Sequence, residues 1–293
     1  MIQIENVSKK LDTKVVLDNL DWRIADSKVH GLVGPNGSGK STLLRLIAGI
    51  YQADQGSITI ESCPVFENPD IKANIMYVAD DPFFLHQSTL SDMRDFYQTF
   101  YPSFNDEIYE NLLKLFLLDT AAKITTFSKG MRRQAALILA FATSPKYLLL
   151  DEAFDGLDPV MRLSLKRIIS DEIINKKMTV IISSHNIREL EDICDEIVLI
   201  QNGIINLGGA VDELHKAFHK YQLAFSDVVN ESLFSNISYA DIMINSKFVT
   251  LISQKDNYQN LQKLNPLLLE EIAMNLEEIF VYQMKEHGYG KNI

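Results

Sequence analysis

Alternating apolar and polar positions dominate the first sixty residues and predict antiparallel strands. The segments with this alternation are residues 2–7, 15–17, 20–24 and 57–60. Between them, the apolar run 29–33 has the composition of a strand that is buried on both faces. Residues 43–48 place apolar side chains at helical spacing, and Gly49 follows them. The pattern therefore predicts a strand, a loop over residues 34–42, and a helix.

Residues 89–145 change to helical spacing and predict a helical block inserted into the sheet. Thr89 and Asp92 have the spacing of a capping box. Asn105 and Ser128 are residue types that begin helices, and each precedes a run with apolar side chains on one face. We expect a helical subdomain over about residues 83–145.

The sheet pattern returns after this block. The apolar runs 147–150 and 178–182 predict two buried strands with a helix over about residues 160–175 between them. Residues 196–205 contain an Asn-Gly pair between apolar runs, which predicts a hairpin. Strands that alternate with helices are typical of an α/β fold with a parallel sheet covered on both faces.

The pattern changes again beyond residue 212. Residues 221–225 and 248–252 predict strands, and residues 268–285 predict a closing helix. We therefore divide the chain into a domain over residues 1–212 and a small C-terminal α+β accessory domain over residues 213–293.

The loop over residues 34–42 fits the pattern G-x-x-x-x-G-K-[ST] at every fixed position. Its residues are Gly34, Pro35, Asn36, Gly37, Ser38, Gly39, Lys40, Ser41 and Thr42. Glycines let the backbone N–H groups turn toward a polyphosphate, and the following helix adds the positive end of its dipole. We expect Lys40 to reach the β- and γ-phosphates of a nucleotide and the Ser41 hydroxyl to bind Mg²⁺.

Two acids follow the apolar run 147–150. Asp151 and Glu152 stand at the predicted carboxyl end of a core strand, where open α/β sheets bind ligands. We expect Asp151 to bind Mg²⁺ and Glu152 to polarise the water that attacks the γ-phosphate. His185 directly follows the next strand, within reach of the same phosphate. Acids or a histidine at strand ends also occur as structural residues, but the phosphate loop favours the functional interpretation.

Composition narrows the classes of function. The chain has 293 residues and a formal net charge of −11, so we expect no nucleic-acid partner, which would need a basic face. Cys63 and Cys194 lack neighbours at metal spacing and predict inert thiols. The N-terminus lacks a signal-peptide pattern, and no apolar run approaches the ~18 residues of a membrane span. A membrane role would therefore require the spans of another protein.

The motifs together resemble those of the ATP-binding cassette (ABC) ATPases, which are P-loop NTPases, over residues 1–212. The matching segments are the phosphate loop at 34–42, the signature at 127–134, the second Walker motif at 147–152, the subunit-coupling loop at 155–158 and the switch histidine His185. The resemblance implies a cassette with an antiparallel β subdomain and a helical subdomain.

The family's mechanism is what this resemblance implies for function. ATP and Mg²⁺ would be bound between two cassettes, with Ser128 and Gly130 of one chain completing the γ-phosphate site of the other. Glu152 would be the catalytic base, and Ser41, Asp151 and Asp80 would be the metal ligands. The second ATPase subunit would form a homodimer or a heterodimer. A transmembrane permease subunit would be the other partner, which implies a peripheral location on the cytoplasmic face of the cell membrane.

A finer resemblance points to the ATPases of bacterial ABC-2 type exporters, including those linked to bacitracin resistance, acetoin operons and amphipathic peptides. It rests on the segment beyond residue 212, on Asp80 in place of the usual glutamine, and on residues 276–280. The residues from about 82 to 101 would form the groove for the permease's coupling helix.

The signature and the adenine site depart from the family pattern. Lys129 and Met131 replace a glycine and a glutamine of the signature, and Leu11 aligns with the aromatic residue that stacks on adenine. These departures leave open a weakly hydrolysing partner subunit in a heterodimer. A soluble cassette protein acting on ribosomes or DNA is a further alternative, which the single cassette and the negative charge disfavour.

Overall fold

The computed structural model describes the backbone of residues 1–286 and the side chains of residues 1–283. Within it the chain divides into two compact units, Met1–Gly208 and Gly209–Ile293. Residues 287–293, the last part of the accessory domain expected over residues 213–293, lie outside the described residues. Nowhere in residues 1–286 does a helix combine the length and apolar character needed to cross a bilayer.

Fourteen strands are present in the described residues. They are β1 (Ile2–Leu11), β2 (Lys14–Ile24), β3 (Val29–Val33), β4 (Gln55–Ile60), β5 (Cys63–Pro64), β6 (Ile75–Val78), β7 (Tyr147–Asp151), β8 (Thr179–Ser184), β9 (Glu196–Gln201), β10 (Ile204–Ala210), β11 (His219–Ala224), β12 (Asp241–Asn245), β13 (Phe248–Ser253) and β14 (Leu268–Ile272).

Ten α-helices are present in the same part of the chain. They are α1 (Lys40–Ile47), α2 (Pro69–Lys72), α3 (Leu90–Phe100), α4 (Asp106–Phe116), α5 (Lys129–Ala142), α6 (Pro159–Lys176), α7 (Ile187–Glu191), α8 (Val211–Lys216), α9 (Tyr258–Gln262) and α10 (Leu276–Glu286). Short 3₁₀ turns cover Ile124–Thr126 and Glu231–Phe234.

The central sheet of the first unit has the strand order β10-β9-β3-β8-β7-β6. The pairs β9-β3, β3-β8, β8-β7 and β7-β6 are all parallel. Every residue of β3, β7 and β8 is buried, as expected for strands covered on both faces. The predicted α/β fold is confirmed, and the parallel order brings the carboxyl ends of β3, β7 and β8 to one edge.

An antiparallel sheet of order β2-β1-β4-β5 precedes and flanks the phosphate loop in sequence. The two predicted segments 15–17 and 20–24 belong to the single strand β2, because β1 pairs with it along its whole length through local register shifts. The apolar side chains of α1 enter the same core as those of β1 and β2. This packing holds α1, which begins inside the loop at Lys40, against the antiparallel sheet.

The helical block consists of α3, α4 and α5, and its predicted caps are confirmed. Thr89 and Asp92 form the capping box of α3. The side chain of Asn105 accepts from Ile108 N at the start of α4, and that of Ser128 accepts from Met131 N at the start of α5. Helix α5 is buried over residues 135–142, so its C-terminal part lies in the core while its first turn stays at the surface.

The second unit contains an antiparallel sheet of order β12-β13-β11-β14. The helix predicted over residues 268–285 is wrong for its first part, because Leu268–Ile272 forms β14 and pairs with β11. The helix begins only after Asn275, whose side chain accepts from Glu278 N while the Glu278 carboxylate accepts from Asn275 N. This capping box marks the true start of α10.

Candidate functional site

The phosphate loop joins the end of β3 to the start of α1. Gly37 and Gly39 have φ values of 79° and 112°, in the region that favours glycine. Gly34 is required for a different reason, since a Cβ there would lie 2.2 Å from the Ile200 carbonyl oxygen. Gly39 precedes α1 without any side-chain cap, so the first N–H groups of α1 remain available to an anion.

The side chain of Lys40 is folded back onto this loop. Its Nζ donates to the carbonyl oxygens of Gly34 at 2.7 Å and Pro35 at 3.3 Å, and it lies 3.3 Å from Glu152 Oε1. The ammonium group is buried and all its partners are oxygens of the loop and of one acid. A bound phosphate would compete for this positive charge, since a charge-assisted hydrogen bond to phosphate is stronger than one to a neutral carbonyl.

The Asp151 carboxylate ends β7 and is almost completely buried. Its Oδ1 accepts from Ser183 Oγ at 2.6 Å, and its Oδ2 accepts from the Tyr77 hydroxyl at 3.1 Å. Burial, followed by the nearby Asp151 charge, raises the pKa of Tyr77 to about 12, so Tyr77 keeps its proton and acts as the donor.

Glu152 and His185 contact each other at the ends of β7 and β8. The His185 Nδ1 lies 2.9 Å from Glu152 Oε2, and the backbone N–H of His185 donates to the same oxygen at 3.3 Å. Glu152 has a φ of 49°, a left-handed conformation that costs a side-chain-bearing residue about 1–2 kcal/mol. That turn leaves the carboxylate between Lys40 and His185, so three sequence-predicted residues meet at one point.

Asp80 follows the end of β6, and its main partner is Arg133 of α5. The Arg133 guanidinium donates to the Asp80 carboxylate at 2.7 Å and to the Asp80 carbonyl at 2.6 Å. The second carboxylate oxygen of Asp80 makes no hydrogen bond within the described residues. Sequence reasoning missed Arg133, because nothing in the local pattern links a helix residue to a strand end 53 positions earlier.

The signature segment lies against the loop over residues 155–158. Lys129 Nζ donates to Asp155 Oδ2 at 2.5 Å, and this hydrogen bond holds the pKa of the Asp155 carboxyl below its usual value. A Cβ on Gly130 would lie 2.7 Å from the carbonyl oxygen of Gly156. Gly130 therefore lies against Gly156, and the neighbouring Asp155 N–H donates to the Glu152 carbonyl oxygen at 3.0 Å. Within the described residues no hydrogen bond joins Ser128 or Gly130 directly to Lys40 or to the Glu152 side chain.

The donor set fits a magnesium ion that nucleotide oxygens help to hold. Within residues 1–286, no group of three or more His, Cys, Asp and Glu side chains is arranged to bind a metal ion. Ser41, at the start of α1, and Asp151 offer the hard oxygen ligands that Mg²⁺ prefers, and Mg²⁺ commonly takes its remaining ligands from phosphates and water.

A parallel sheet, a phosphate loop that leads into a buried helix, and two acids at the carboxyl end of β7 define a P-loop ATPase cassette. The model of the family described as ABC transporter matches residues 17–155. The ABC transporter ATP-binding protein YtrB of Bacillus subtilis (strain 168) is 31% identical over 284 residues, covering 96% of this chain and 97% of YtrB. The chain belongs to the ABC transporter family, as an ATP-binding subunit with the fold of its ATPases.

A second relative and a solved structure agree with this assignment. The methionine import ATP-binding protein MetN of Clostridium tetani (strain Massachusetts / E88) is 28% identical over 300 residues and covers 95% of this chain and 94% of MetN. The solved structure of an ATP-binding subunit of an ABC transporter has a TM-score of 0.68 and 25% identity, covering 74% of this chain and 92% of that one. The family resemblance predicted from the motifs is confirmed.

Proposed function

We propose that this chain drives an exporter by closing with a second cassette on ATP and reopening after hydrolysis. The observation that carries the proposal is the convergence of Lys40 and His185 on Glu152, whose carboxylate lies 3.3 Å from Lys40 Nζ and 2.9 Å from His185 Nδ1. Hydrolysis of a γ-phosphate requires a base for the attacking water and a cation for the phosphate charge, and Glu152 and Lys40 supply them at the edge of the phosphate loop. His185 is the hydrogen-bond partner of the base.

Glu152 is the catalytic base in this proposal. Its carboxylate accepts a proton from the attacking water, and His185 holds the carboxylate in place through Nδ1 and the backbone N–H. Lys40 moves from its loop carbonyls onto the β- and γ-phosphates. The backbone N–H groups over residues 37–42 bind the phosphate oxygens.

Mg²⁺ supplies neutralisation of the charge on the β- and γ-phosphates when it is bound. Ser41 and Asp151 are the residues that would hold it. Asp80 is proposed as a further ligand through its second carboxylate oxygen, since the first is engaged by Arg133.

The second cassette contributes its Ser128 and Gly130 to the γ-phosphate in this proposal. Ser128 caps α5, and no hydrogen bond links it to Lys40 or Glu152 within the described residues, so we assign its role to the site of another copy or of a related chain. A heterodimer with one weakly hydrolysing chain is the second candidate. It is favoured by Lys129, which replaces a signature glycine and is paired with Asp155 of the same chain.

The permease is proposed to bind a groove of about 550 Å³ that is formed mainly by the loop before α3. The groove is lined by Asp81, Pro82, Phe83, Phe84, Leu85, His86, Ile124, Thr125 and Arg132. Phe83 is 77% exposed there, an apolar side chain that gains from being covered by a partner. Binding of a permease would hold the chain on the cytoplasmic face of the membrane.

Co-purification tests this proposal. The tagged chain is isolated from membranes of its native cell in mild detergent, and the associated proteins are identified. We expect a polytopic permease, together with either one kind of cassette or two. Phe83→Ser is expected to lose the permease, whereas the control Ile174→Ser, at a residue equally exposed at 78% but outside the groove, is expected to keep it.

Other associated proteins would contradict separate parts of the proposal. Ribosomal proteins or DNA in place of a permease would contradict the transporter role and leave the ATPase chemistry intact. An extracellular solute-binding protein in the same complex would contradict export and support import, the activity in the name of MetN. Two different cassettes would support the heterodimer.

A further inference from the structure

The Ser183 side chain lies between the two acids of the site. Ser183 is completely buried in β8, and its Oγ is 2.6 Å from Asp151 Oδ1 and 3.1 Å from the backbone N of Glu152. A serine hydroxyl has one proton to donate and lone pairs to accept. The O–H therefore donates to the Asp151 carboxylate while the oxygen accepts the Glu152 N–H, and the two contacts do not compete.

The orientation of the Asp151 carboxylate is set by two donors. Ser183 donates to Oδ1, and the Tyr77 hydroxyl donates to Oδ2 from β6 on the other side. The Ser183 contact, at 2.6 Å, has the length of a charge-assisted hydrogen bond between a hydroxyl and an ionised acid. One donor on each oxygen prevents rotation of the carboxylate about its Cβ–Cγ bond.

The backbone of Glu152 is also held by Ser183. The Glu152 N–H is shared between the carbonyl oxygen of Ser183 at 3.2 Å and Ser183 Oγ at 3.1 Å. Glu152 adopts the left-handed conformation immediately after this contact, and that turn leads its side chain to Lys40 and His185. Loss of the hydroxyl would remove one of the two acceptors that hold the turn.

We propose that Ser183 is a positioning residue for both acids, orienting the Asp151 carboxylate toward the metal and holding the backbone turn that places the Glu152 carboxylate. This inference rests on the proposed roles of Asp151 and Glu152. Tyr77 shares only the first task, because it contacts the Asp151 side chain and not Glu152.

The chain provides a matched comparison in the next residue. Ser184 is also a buried serine of β8, but its Oγ donates to Glu189 at 3.1 Å and accepts from the Asn186 N–H at 3.0 Å. Its hydroxyl contacts neither Asp151 nor Glu152. A comparison of the two serines therefore separates the positioning of the acids from the general packing of the strand.

The experiment measures two quantities for Ser183→Ala, Ser183→Thr, Tyr77→Phe and Ser184→Ala. The first is the Mg²⁺ concentration at half-maximal binding of a fluorescent ATP analogue, with binding in EDTA as the baseline. The second is kcat and KM at saturating Mg²⁺. We expect Ser183→Ala to raise the Mg²⁺ requirement and lower kcat, each by on the order of 10- to 100-fold, without changing binding in EDTA.

The remaining variants distinguish the two tasks. Ser183→Thr keeps the hydroxyl and is expected to restore both quantities. Tyr77→Phe removes the other donor to the Asp151 carboxylate but no contact to Glu152, so it is expected to raise the Mg²⁺ requirement in the same direction as Ser183→Ala. Ser183→Cys keeps the volume with a weaker donor, so it gives the same direction of change if the alanine variant does not fold.

The inference would be overturned if Ser183→Ala left both the Mg²⁺ requirement and kcat unchanged. It would also be overturned if Ser184→Ala changed both quantities as much as Ser183→Ala does. Asp151→Asn serves as the reference for the proposed function itself. If Asp151→Asn leaves the Mg²⁺ requirement unchanged, the metal assignment fails. If Asp151→Asn changes it and Ser183→Ala does not, only the role of Ser183 fails.

Discussion

The guanidinium of Arg133 holds Asp80 by two hydrogen bonds, to its carboxylate at 2.7 Å and to its carbonyl at 2.6 Å. The same group donates to the carbonyl of Ala79 at 2.9 Å and to that of Asp151 at 3.2 Å. Arg133 is 1% exposed, whereas the Asp80 side chain is 54% exposed. Arg133 of α5 therefore binds the ends of both β6 and β7.

Arg133→Met is expected to destabilise the first unit far more than Asp80→Asn. Methionine leaves three strand-end carbonyls without their donor, which we expect to cost about 3 kcal/mol or more in the free energy of unfolding. Asp80→Asn removes only a half-exposed charge and is expected to cost about 1 kcal/mol or less. Urea unfolding of the two variants gives both values, and equal losses would show that the ion pair, not the carbonyl contacts, carries the stability.

Glu152→Gln is expected to bind ATP and to lose turnover by on the order of 10²- to 10⁴-fold, because glutamine cannot accept the proton of the attacking water. Turnover and nucleotide affinity are measured in parallel, with Lys40→Ala as the variant that loses affinity. Turnover within about tenfold of the parent would remove Glu152 from the role of base.

The same variant tests the oligomeric state. If two identical chains close on ATP, Glu152→Gln with Mg-ATP should elute as a dimer in size-exclusion chromatography, because slow hydrolysis leaves the closed state populated. The Lys40→Ala chain should remain monomeric under the same conditions. A Glu152→Gln chain that binds ATP but stays monomeric would favour a different partner cassette.

Alanine substitutions at two glycines of the phosphate loop are expected to have different effects, one mainly on stability and the other mainly on nucleotide affinity. Gly34→Ala forces a methyl group against the Ile200 carbonyl, and overpacking of this kind costs about 1–3 kcal/mol of stability. Gly37→Ala meets no atom within 4 Å but strains the backbone at a φ of 79°, at a cost of about 1 kcal/mol. Its methyl group enters the open space above the loop, so nucleotide affinity should fall more than stability.

Unfolding curves and nucleotide titrations of both glycine variants check this contrast. Affinity in Gly37→Ala equal to that of the parent would mean that the nucleotide does not approach the loop at that residue. A Gly34→Ala chain as stable as the parent would mean that the loop relaxes away from Ile200 without cost.

The sequence predicted much of the site because its parts are local. A glycine pattern between a strand and a helix, and acids after an apolar run, each lie within a few residues. Because the carboxyl ends of parallel strands meet at one edge of the sheet, the sequence also predicted that Glu152, His185 and Lys40 would reach the same phosphate. The structure brings these three together.

The partners of those residues were not predictable in the same way. Ser183 and Tyr77 reach Asp151 from neighbouring strands, and Arg133 reaches it from a helix, so each contact depends on which strands pair and not on any local spacing. The folding of Lys40 onto its own loop carbonyls also has no sequence signal, because the motif describes only the phosphate-bound geometry.

The error over residues 268–275 has a tertiary cause. Leucine and glutamate favour helices, but pairing with β11 gives this segment its hydrogen bonds as β14. The Asn275 and Glu278 capping box was the local signal for a later helix start. Pairing with β11 therefore outweighed the helix propensity of residues 268–272, whereas the residues after Asn275 form the helix that their propensity favours.

Stability is expected to fall below about pH 6.5 because of His30, whose ordinary pKa is near that value. His30 is completely buried in β3, with Nε2 on the Ala25 carbonyl at 2.9 Å. Desolvation lowers the His30 pKa in the folded chain, and the positive charge of Lys28 lowers it further. Glu196, which lies 3.5 Å from Nδ1, and Asp195 act in the opposite direction but do not outweigh burial.

The sign follows from proton uptake by His30. Below its ordinary pKa the unfolded chain binds a proton that the folded chain does not, so this contribution is complete above about pH 6.5 and is lost as the pH falls toward the lowered value, by at most about 1.4 kcal/mol per pH unit. Urea unfolding at pH 7.5, 6.5 and 5.5 should show a shallower decline for His30→Gln than for the parent. Identical slopes in the two proteins would mean that His30 is protonated equally in the folded and unfolded chains.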